Sequence, residues 1–244
     1  MAGRKWYEAD LAHVHDVGFA SFSLGAAPLL LRTLRAHGID RGLVVDLGCG
    51  SGQWAGKLHE AGYDVLGIDG SAAMVALASR RVPEARFVRA SYLDAKLPRC
   101  AAVTALGEVF NYAFDSRAGT AGLARILRDV HRALEPGGLL VFDVATPGRG
   151  SGSPVRHRAG PGWEIVSETT EDGRARILTR RITTFRRVGK LYRRSVEVHE
   201  LRLYEPRAVL GILRDAGFRV RRVSGYGAER FPKHYAGFLA RKPS

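Results

Sequence analysis

Two cysteines in 244 residues, Cys49 and Cys100, cannot build the disulfide framework of a small secreted domain, and neither has metal-ligand spacing. Both are expected to be reduced thiols, and no metal site is predicted. No stretch approaches the roughly 20 uncharged apolar residues a membrane span needs. The opening MAGRKWYEAD carries charge where a signal peptide has its apolar core, so a cytoplasmic location and no membrane partner are expected. Acid is also scarce. Against 24 Asp and Glu stand 38 Lys and Arg, a net charge of +14 that attracts nucleic acid or small anions. The excess is mostly arginine scattered through the second half, as in RARILTRRITTFRRVGKLYRRS, interleaved with apolar residues at strand spacing. That pattern suits solvated strand faces better than a nucleic-acid groove.

What is present is an alternation. LGAAPLLLRTLRAHG (24–38) has helical apolar spacing and ends at glycine. GLVVDLG is a short β-branched run of the kind buried on both faces of a parallel sheet. Helical WAGKLHEAG, AAMVALASRR and AGLARILRDVHRALEPGG then alternate with strand-like YDVLGIDG, ARFVRAS, AAVTALGE and LLVFDVAT. Right-handed crossovers and a doubly wound α/β sheet follow. The alternation stops after Thr146. Beyond PGRGSGSP, three long strand-like runs between Trp163 and Tyr204 are joined by DG and GK turns, predicting an antiparallel β insertion. A helix, EPRAVLGILRDAG, and two strands, FRVRRVSGYG and HYAGFLARK, close the chain.

VVDLGCGSGQW (44–54) sets glycines at alternate positions after the first strand. There the backbone can approach a ligand and the next helix offers unpaired N–H groups. Gly50, Gly52 and Ala55, with Asp69 about 20 residues on, also satisfy a relaxed dinucleotide fingerprint. Three features weigh against that alternative: Asp46 inside the strand end, the spacing D-x-G-x-G-x-G through Gly48, Gly50 and Gly52, and the final helix followed by two adjacent strands.

Together these resemble the class I S-adenosylmethionine-dependent methyltransferases, from about Leu34 to Lys242. VVDLGCGSG is similar to the family's first motif and VLGIDGSAAM to its second; AAVTALGEVFNYAFD and LEPGGLLVFDV are similar to those of the fourth and fifth strands. The resemblance implies a Rossmann-like seven-stranded sheet in the order 3-2-1-4-5-7-6, strand 7 antiparallel. It also implies S-adenosyl-L-methionine as cofactor. The residues expected around it are Asp46, Gly48, Cys49, Gly50, Gly52 and Trp54 from the first motif, Asp69, Gly70 and Met74 from the second, and Gly107 after the fourth strand. Asp69 would accept both ribose hydroxyls. One departure stands out: where the family often places an Asp for the adenine amine, this chain reads VRASYLDAKLP. Either Ser91 serves, with Tyr92 beside it, or Asp94 reaches in.

Methyl transfer asks the protein to align a nucleophile, exclude water and remove a proton where there is one. Glu108 and Asn111, with Tyr112 after them, follow the fourth strand; Glu108 would orient an amine or take its proton, and Asn111 would hydrogen-bond cofactor or acceptor, unless Glu108 merely caps the turn. In WYEADLAHVHDVGFASF, Tyr7, His13, His15 and Phe19 have the character of a lid, with Tyr7 and His15 as catalytic candidates. The expected organisation is a helical lid segment (1–40), a cofactor-binding core (41–146 and 205–244) and an acceptor-side cap (147–204). The acceptor is expected to be a small molecule with an N or O nucleophile, an acidic one suiting the arginines. Methylation of RNA or protein, or non-methylating use of the same cofactor, are the alternatives.

Overall fold

A computed structural model describes residues 6–227 and 229–244, with Glu229 in its backbone only. Helices α1 (Ala9–Gly18) and α2 (Ala20–Ala36) lead into β1 (Leu43–Leu47), α3 (Gln53–Glu60), β2 (Asp64–Asp69), α4 (Ala72–Arg81), β3 (Arg86–Arg89), β4 (Cys100–Ala105), α5 (Thr120–Ala133) and β5 (Leu134–Ala145). Strands β6 (Val155–Gly160), β7 (Trp163–Asp172), β8 (Ile177–Val188) and β9 (Leu191–Arg202) follow. The chain closes with α6 (Pro206–Asp215), β10 (Arg219–Val223), the short β11 (Gly225–Tyr226) and β12 (Glu229–Arg230), and β13 (Tyr235–Arg241).

The main sheet runs β10-β13-β5-β4-β1-β2-β3, with β13 antiparallel to both neighbours and the other pairs parallel. This is the expected order. Strand order reverses around β1 and β4, so a crevice opens beyond their carboxyl ends, where open α/β sheets bind ligands. All six residues of β4 are buried, as an uninterrupted apolar strand at the centre of a doubly covered sheet must be. One face packs α5 and α6 over Val103, Leu140 and Phe142; the other packs α2 and α3 over Val44, Leu139 and Val141.

The insertion between β5 and α6 has four strands, not three, in the order β6-β7-β8-β9. Strand β6, VRHRAG, lacks apolar alternation because it is an edge strand with nearly every residue exposed, held by its register on β7 from Val155↔Glu168 to Gly160↔Trp163. The inner face of this sheet buries Trp163, Ile165 and Ile182 against Leu11 and Val14 of α1. Three element boundaries also differ from expectation. The helix predicted over 24–38 begins at Ala20, with the separate helix Ala9–Gly18 before it inside the segment expected to be helical; the expected helix through Gly138 stops at Ala133, with Leu134 onward in β5; and FRVRRVSGYG divides at Ser224 into β10 and β11.

Candidate active site

The carboxyl ends of β1, β2 and β4 converge on a cavity of about 340 Å³. The three alternate glycines of the first loop are all left-handed, Gly48 at φ 66°, Gly50 at 53° and Gly52 at 78°. A Cβ on Gly48 would stand 2.5 Å from a Val109 methyl, and one on Gly52 would meet Ala78 of α4 at 3.0 Å. A Cβ on Gly50 would meet nothing within 4 Å, because Gly50 faces the cavity. Asp69, ending β2, accepts the Gly50 N–H at 3.0 Å and the Ser71 N–H at 2.8 Å, so its carboxylate stands at the cavity wall beside the loop. Burial raises its pKa from the ordinary aspartate value, against the pull of those two amides.

Beyond β4 the backbone turns sharply at Gly107 (φ 86°) and Glu108 (φ 63°). The turn is held by Asp143 of β5, fully buried, whose carboxylate accepts the Gly107 N–H at 2.9 Å, the Glu108 N–H at 2.7 Å and the Tyr226 hydroxyl at 3.0 Å. Glu108 in turn accepts from Arg149 at 3.0 Å and Arg180 at 3.3 Å. Burial pushes its pKa up, but the two guanidiniums outweigh that and hold it below the usual glutamate value. The Tyr7 and Tyr112 hydroxyls meet at 2.8 Å, and burial raises both phenols above their ordinary range. Burial pushes His15, which packs against Phe19 and Tyr7, down to about 4.

Tyr7, His15, Phe19, Glu108 and Arg180 also line a second compartment of about 440 Å³. Its far wall is the insertion sheet and the loop before it, with Arg149, Arg156 and Arg158 beside the hydroxyls of Ser153, Ser167 and Thr169. The loop carrying Arg149 is tied down by Glu171 of β7, which accepts the Gly148 N–H at 2.8 Å and the Gly150 N–H at 2.6 Å.

Residues 44–138, from β1 into β5, match the family model of the methyltransferase domain. The chain carries a methyltransferase domain. Solved structures share its fold along the whole chain. A S-adenosylmethionine-dependent methyltransferase from Clostridium acetobutylicum superimposes with a TM-score of 0.81 at 18% identity, covering 96% of this chain and 98% of that one. The sugar N-methyltransferase KedS8 from Streptoalloteichus gives 0.79 at 23% identity, with 100% and 98% covered. The S-adenosylmethionine-bound amino pentose methyltransferase CalS10 from Micromonospora echinaspora gives 0.75 at 22%, with 99% and 100% covered. No curated protein sequence matches the chain.

S-adenosylmethionine is bound in the CalS10 structure, and the 340 Å³ cavity of this chain has the features to hold that cofactor: a buried carboxylate, a glycine whose absent side chain leaves space, and an aromatic wall. Of the residues predicted around it, Gly48, Cys49, Gly50, Asp69, Gly70, Met74, Tyr92 and Gly107 line the cavity. Asp46, Trp54, Gly52 and Ser91 do not. Asp46 lies behind the loop and accepts from Thr104 at 2.7 Å, and Thr104 accepts from the Trp54 indole at 3.1 Å. These side chains brace β1, β4 and α3 from within the core, while Gly52 is needed for the approach to α4. Ser91 accepts the Leu93 N–H and starts a single helical turn; Asp94 points outward and pairs with Arg117. Neither expected adenine partner reaches the cavity. Phe114 and Trp6, set edge-on at 5.1 Å, line it instead, with Tyr92 packed 5.9 Å from Phe114.

The catalytic candidates divide in the same way. Tyr7, His15 and Glu108 stand together at the junction of the two compartments. Asn111 does not: its amide donates to the Ala145 and Arg202 carbonyls at 2.9 and 2.5 Å and accepts the Ala145 N–H at 3.0 Å, and it is fully buried. It pins the loop after β4 to the base of the insertion, with both amide hydrogens spent on backbone carbonyls and no place in the cavity lining. The expectation that Glu108 removes a proton also fails, since a carboxylate held low by two arginines is a poor base. Arg180 and Arg149 gave no signal in the sequence, because each reads as one more arginine on a solvated face. Among the described residues no group of three or more His, Cys, Asp or Glu could hold a metal ion, and no single helix is long and apolar enough to cross a membrane.

Proposed function

We propose that this methyltransferase transfers a methyl group to the amino group of a small anionic acceptor, cofactor in the 340 Å³ cavity and acceptor in the compartment beyond Tyr7. The observation that carries this is the lining of that compartment, where four arginines stand against a single carboxylate, Glu108. Two of these arginines are partly neutralised by Glu108; Arg156 and Arg158, more exposed along the groove, keep their charge for an acceptor's carboxylate or phosphate. Residues 147–204 then act as the acceptor-side cap and the helical segment through residue 40 as the lid, the first five residues lying outside the described part.

Amine is favoured over hydroxyl by what stands at the junction. Neither His15 near 4, nor the raised phenols Tyr7 and Tyr112, nor Glu108 is a base poised near neutrality. A hydroxyl acceptor needs such a base; a neutral amine already has its lone pair. Bound in the cavity, S-adenosylmethionine would supply an electrophilic methyl, its carbon–sulfur bond breaking as the acceptor nitrogen bonds the carbon, with the product ammonium then losing its extra proton to solvent. Tyr7 and Tyr112 orient the nitrogen, Asp69 holds the ribose hydroxyls, and the aromatic wall excludes water. KedS8 and CalS10 act, by their descriptions, on an amino sugar or a sugar nitrogen, which fits an acceptor of this kind.

The test is a panel of small amines and alcohols, each with and without a phosphate or carboxylate, assayed for methylation by mass spectrometry. Turnover confined to anionic amines is expected, with Arg156→Ala and Arg158→Ala raising KM roughly tenfold each through a lost charge-assisted contact. Equal turnover of neutral alcohols, or methylation of RNA in their place, would overturn the proposal.

A further inference from the structure

The segment that closes the cavity, Trp6 to Glu8, is held by a residue 190 positions away. Glu197 of β9 is buried at 4% exposure on the inner face of the insertion sheet. One carboxylate oxygen accepts the Tyr7 N–H at 2.7 Å and the other the Glu8 N–H at 2.9 Å. His199, also buried, shares the first oxygen at 2.9 Å, and the Trp6 ring stacks on His199 at 4.7 Å. These N–H groups immediately precede α1, beside the partial positive charge of its N-terminus, and the helix's own N-cap makes no side-chain bond. Glu197 holds the chain there from outside.

Three consequences follow for the cavity. Tyr7 is fixed in the left-handed region (φ 45°), a conformation a tyrosine keeps only when its surroundings impose it. In that conformation its hydroxyl reaches Tyr112, and its carbonyl accepts from the Ser71 hydroxyl at 2.7 Å. Ser71 also donates its N–H to Asp69. A chain of contacts therefore runs from the insertion sheet, through the backbone at residues 7 and 8, to the carboxylate at the cofactor side.

We propose that Glu197 is a positioning residue that latches residues 6–8 across the cofactor cavity, so that the cofactor leaves only when this latch releases and the acceptor compartment is complete only when it is closed. The inference rests on placing the cofactor in the 340 Å³ cavity. Both ligands share the wall made by Tyr7 and His15, and residues 6–8 form the cover between the cavity and β9.

The experiment uses the full chain and S-adenosylhomocysteine as probe. Its dissociation is followed by stopped-flow tryptophan fluorescence, since Trp6 lines the cavity, together with hydrogen exchange at the amides of residues 7–10. Glu197→Gln keeps the shape but sets an amide NH2 against one of the two backbone donors. It is expected to speed release at least roughly tenfold and to expose the amides of residues 7 and 8, with a melting temperature close to the parent's. Unchanged release and unchanged exchange would overturn the inference. Should that variant not fold, His199→Gln, which removes the neighbour sharing the oxygen together with its ring stack on Trp6, is expected to move both readouts the same way by less; no movement there overturns the inference equally. Failure of the parent chain to bind S-adenosylhomocysteine would instead strike the cavity assignment on which the inference rests.

Discussion

Gly48, Gly50 and Gly52 look equivalent as letters, yet each is glycine for a different reason. Gly48 is glycine because Val109 occupies the space a side chain would need, Gly52 because α4 does, and Gly50 because the space beside it belongs to the cavity. An alanine in the left-handed region costs about 1–2 kcal/mol wherever it sits. Gly48→Ala adds an overlap with Val109, worth roughly 1–3 kcal/mol more. Its melting temperature should therefore fall clearly below that of Gly50→Ala. Gly50→Ala should lose S-adenosylhomocysteine affinity by more than tenfold in calorimetry, since its methyl enters the ligand's space. If Gly50→Ala binds normally, the cavity is not the cofactor site. A second residue-scale expectation concerns Glu108. Removing it by Glu108→Ala leaves Arg149 and Arg180, each under a fifth exposed, facing one another unpaired. The cost should be about 3 kcal/mol in urea unfolding, far beyond what loss of a surface base would produce. The sequence showed that the glycines meet something and that Glu108 stands after β4. It did not show what each one touches, because that depends on pairing distant in the chain.

Elements were legible where their burial was two-sided or cleanly periodic. β1, β2, β4 and β5 read as short, mainly apolar runs because helices cover both faces of the sheet, and α5 and α6 read as amphipathic because each has one face on it. β6 was missed because an exposed edge strand carries no pattern, and the two arginines of the acceptor compartment that it supplies were missed with it. The segment 1–40 read as helical, but where α1 begins was not legible, because the carboxylate that holds the chain just before it, Glu197, comes from β9. The junction of α1 with the insertion offers a test in which two effects oppose each other. Gly18→Ala raises helix propensity by up to about 1 kcal/mol, but its Cβ would lie 2.6 Å from the Trp163 ring. Trp163 is held by Gly160 and by Ile165 and cannot withdraw without uncovering Leu11. Overpacking at roughly 1–3 kcal/mol should win, lowering the melting temperature by several degrees. A more stable Gly18→Ala variant would mean that α1 is not seated on the insertion as described.

Across the whole molecule, a strongly basic exterior encloses a small set of buried carboxylates, and these make stability depend on pH. Asp46 is the cleanest case. Burial, with the neighbouring Asp69 charge adding to it, pushes its pKa to about 7 despite the hydrogen bond from Thr104. The unfolded chain would ionise it near 3.8. A carboxyl whose folded pKa lies above its unfolded one favours the fold fully only below the unfolded value, and that contribution is gone once pH has risen through the folded value. For Asp46 the loss extends from about pH 4 to pH 7 and is on the order of 4 kcal/mol. Asp143, pushed by burial to about 6, acts in the same direction over a slightly lower range. It is the poorer probe, because an asparagine there would set an amide against the Gly107 and Glu108 N–H groups it now accepts. Asn at position 46 can still accept from Thr104 through its carbonyl oxygen and never ionises. The melting temperature of Asp46→Asn minus that of the parent should therefore grow by several degrees between pH 5 and pH 8, with the parent falling behind as its own carboxyl loses its proton. Parallel curves for the two proteins would show that Asp46 is ionised at neutral pH in the folded chain, and that the space behind the glycine loop is more polar than its burial implies.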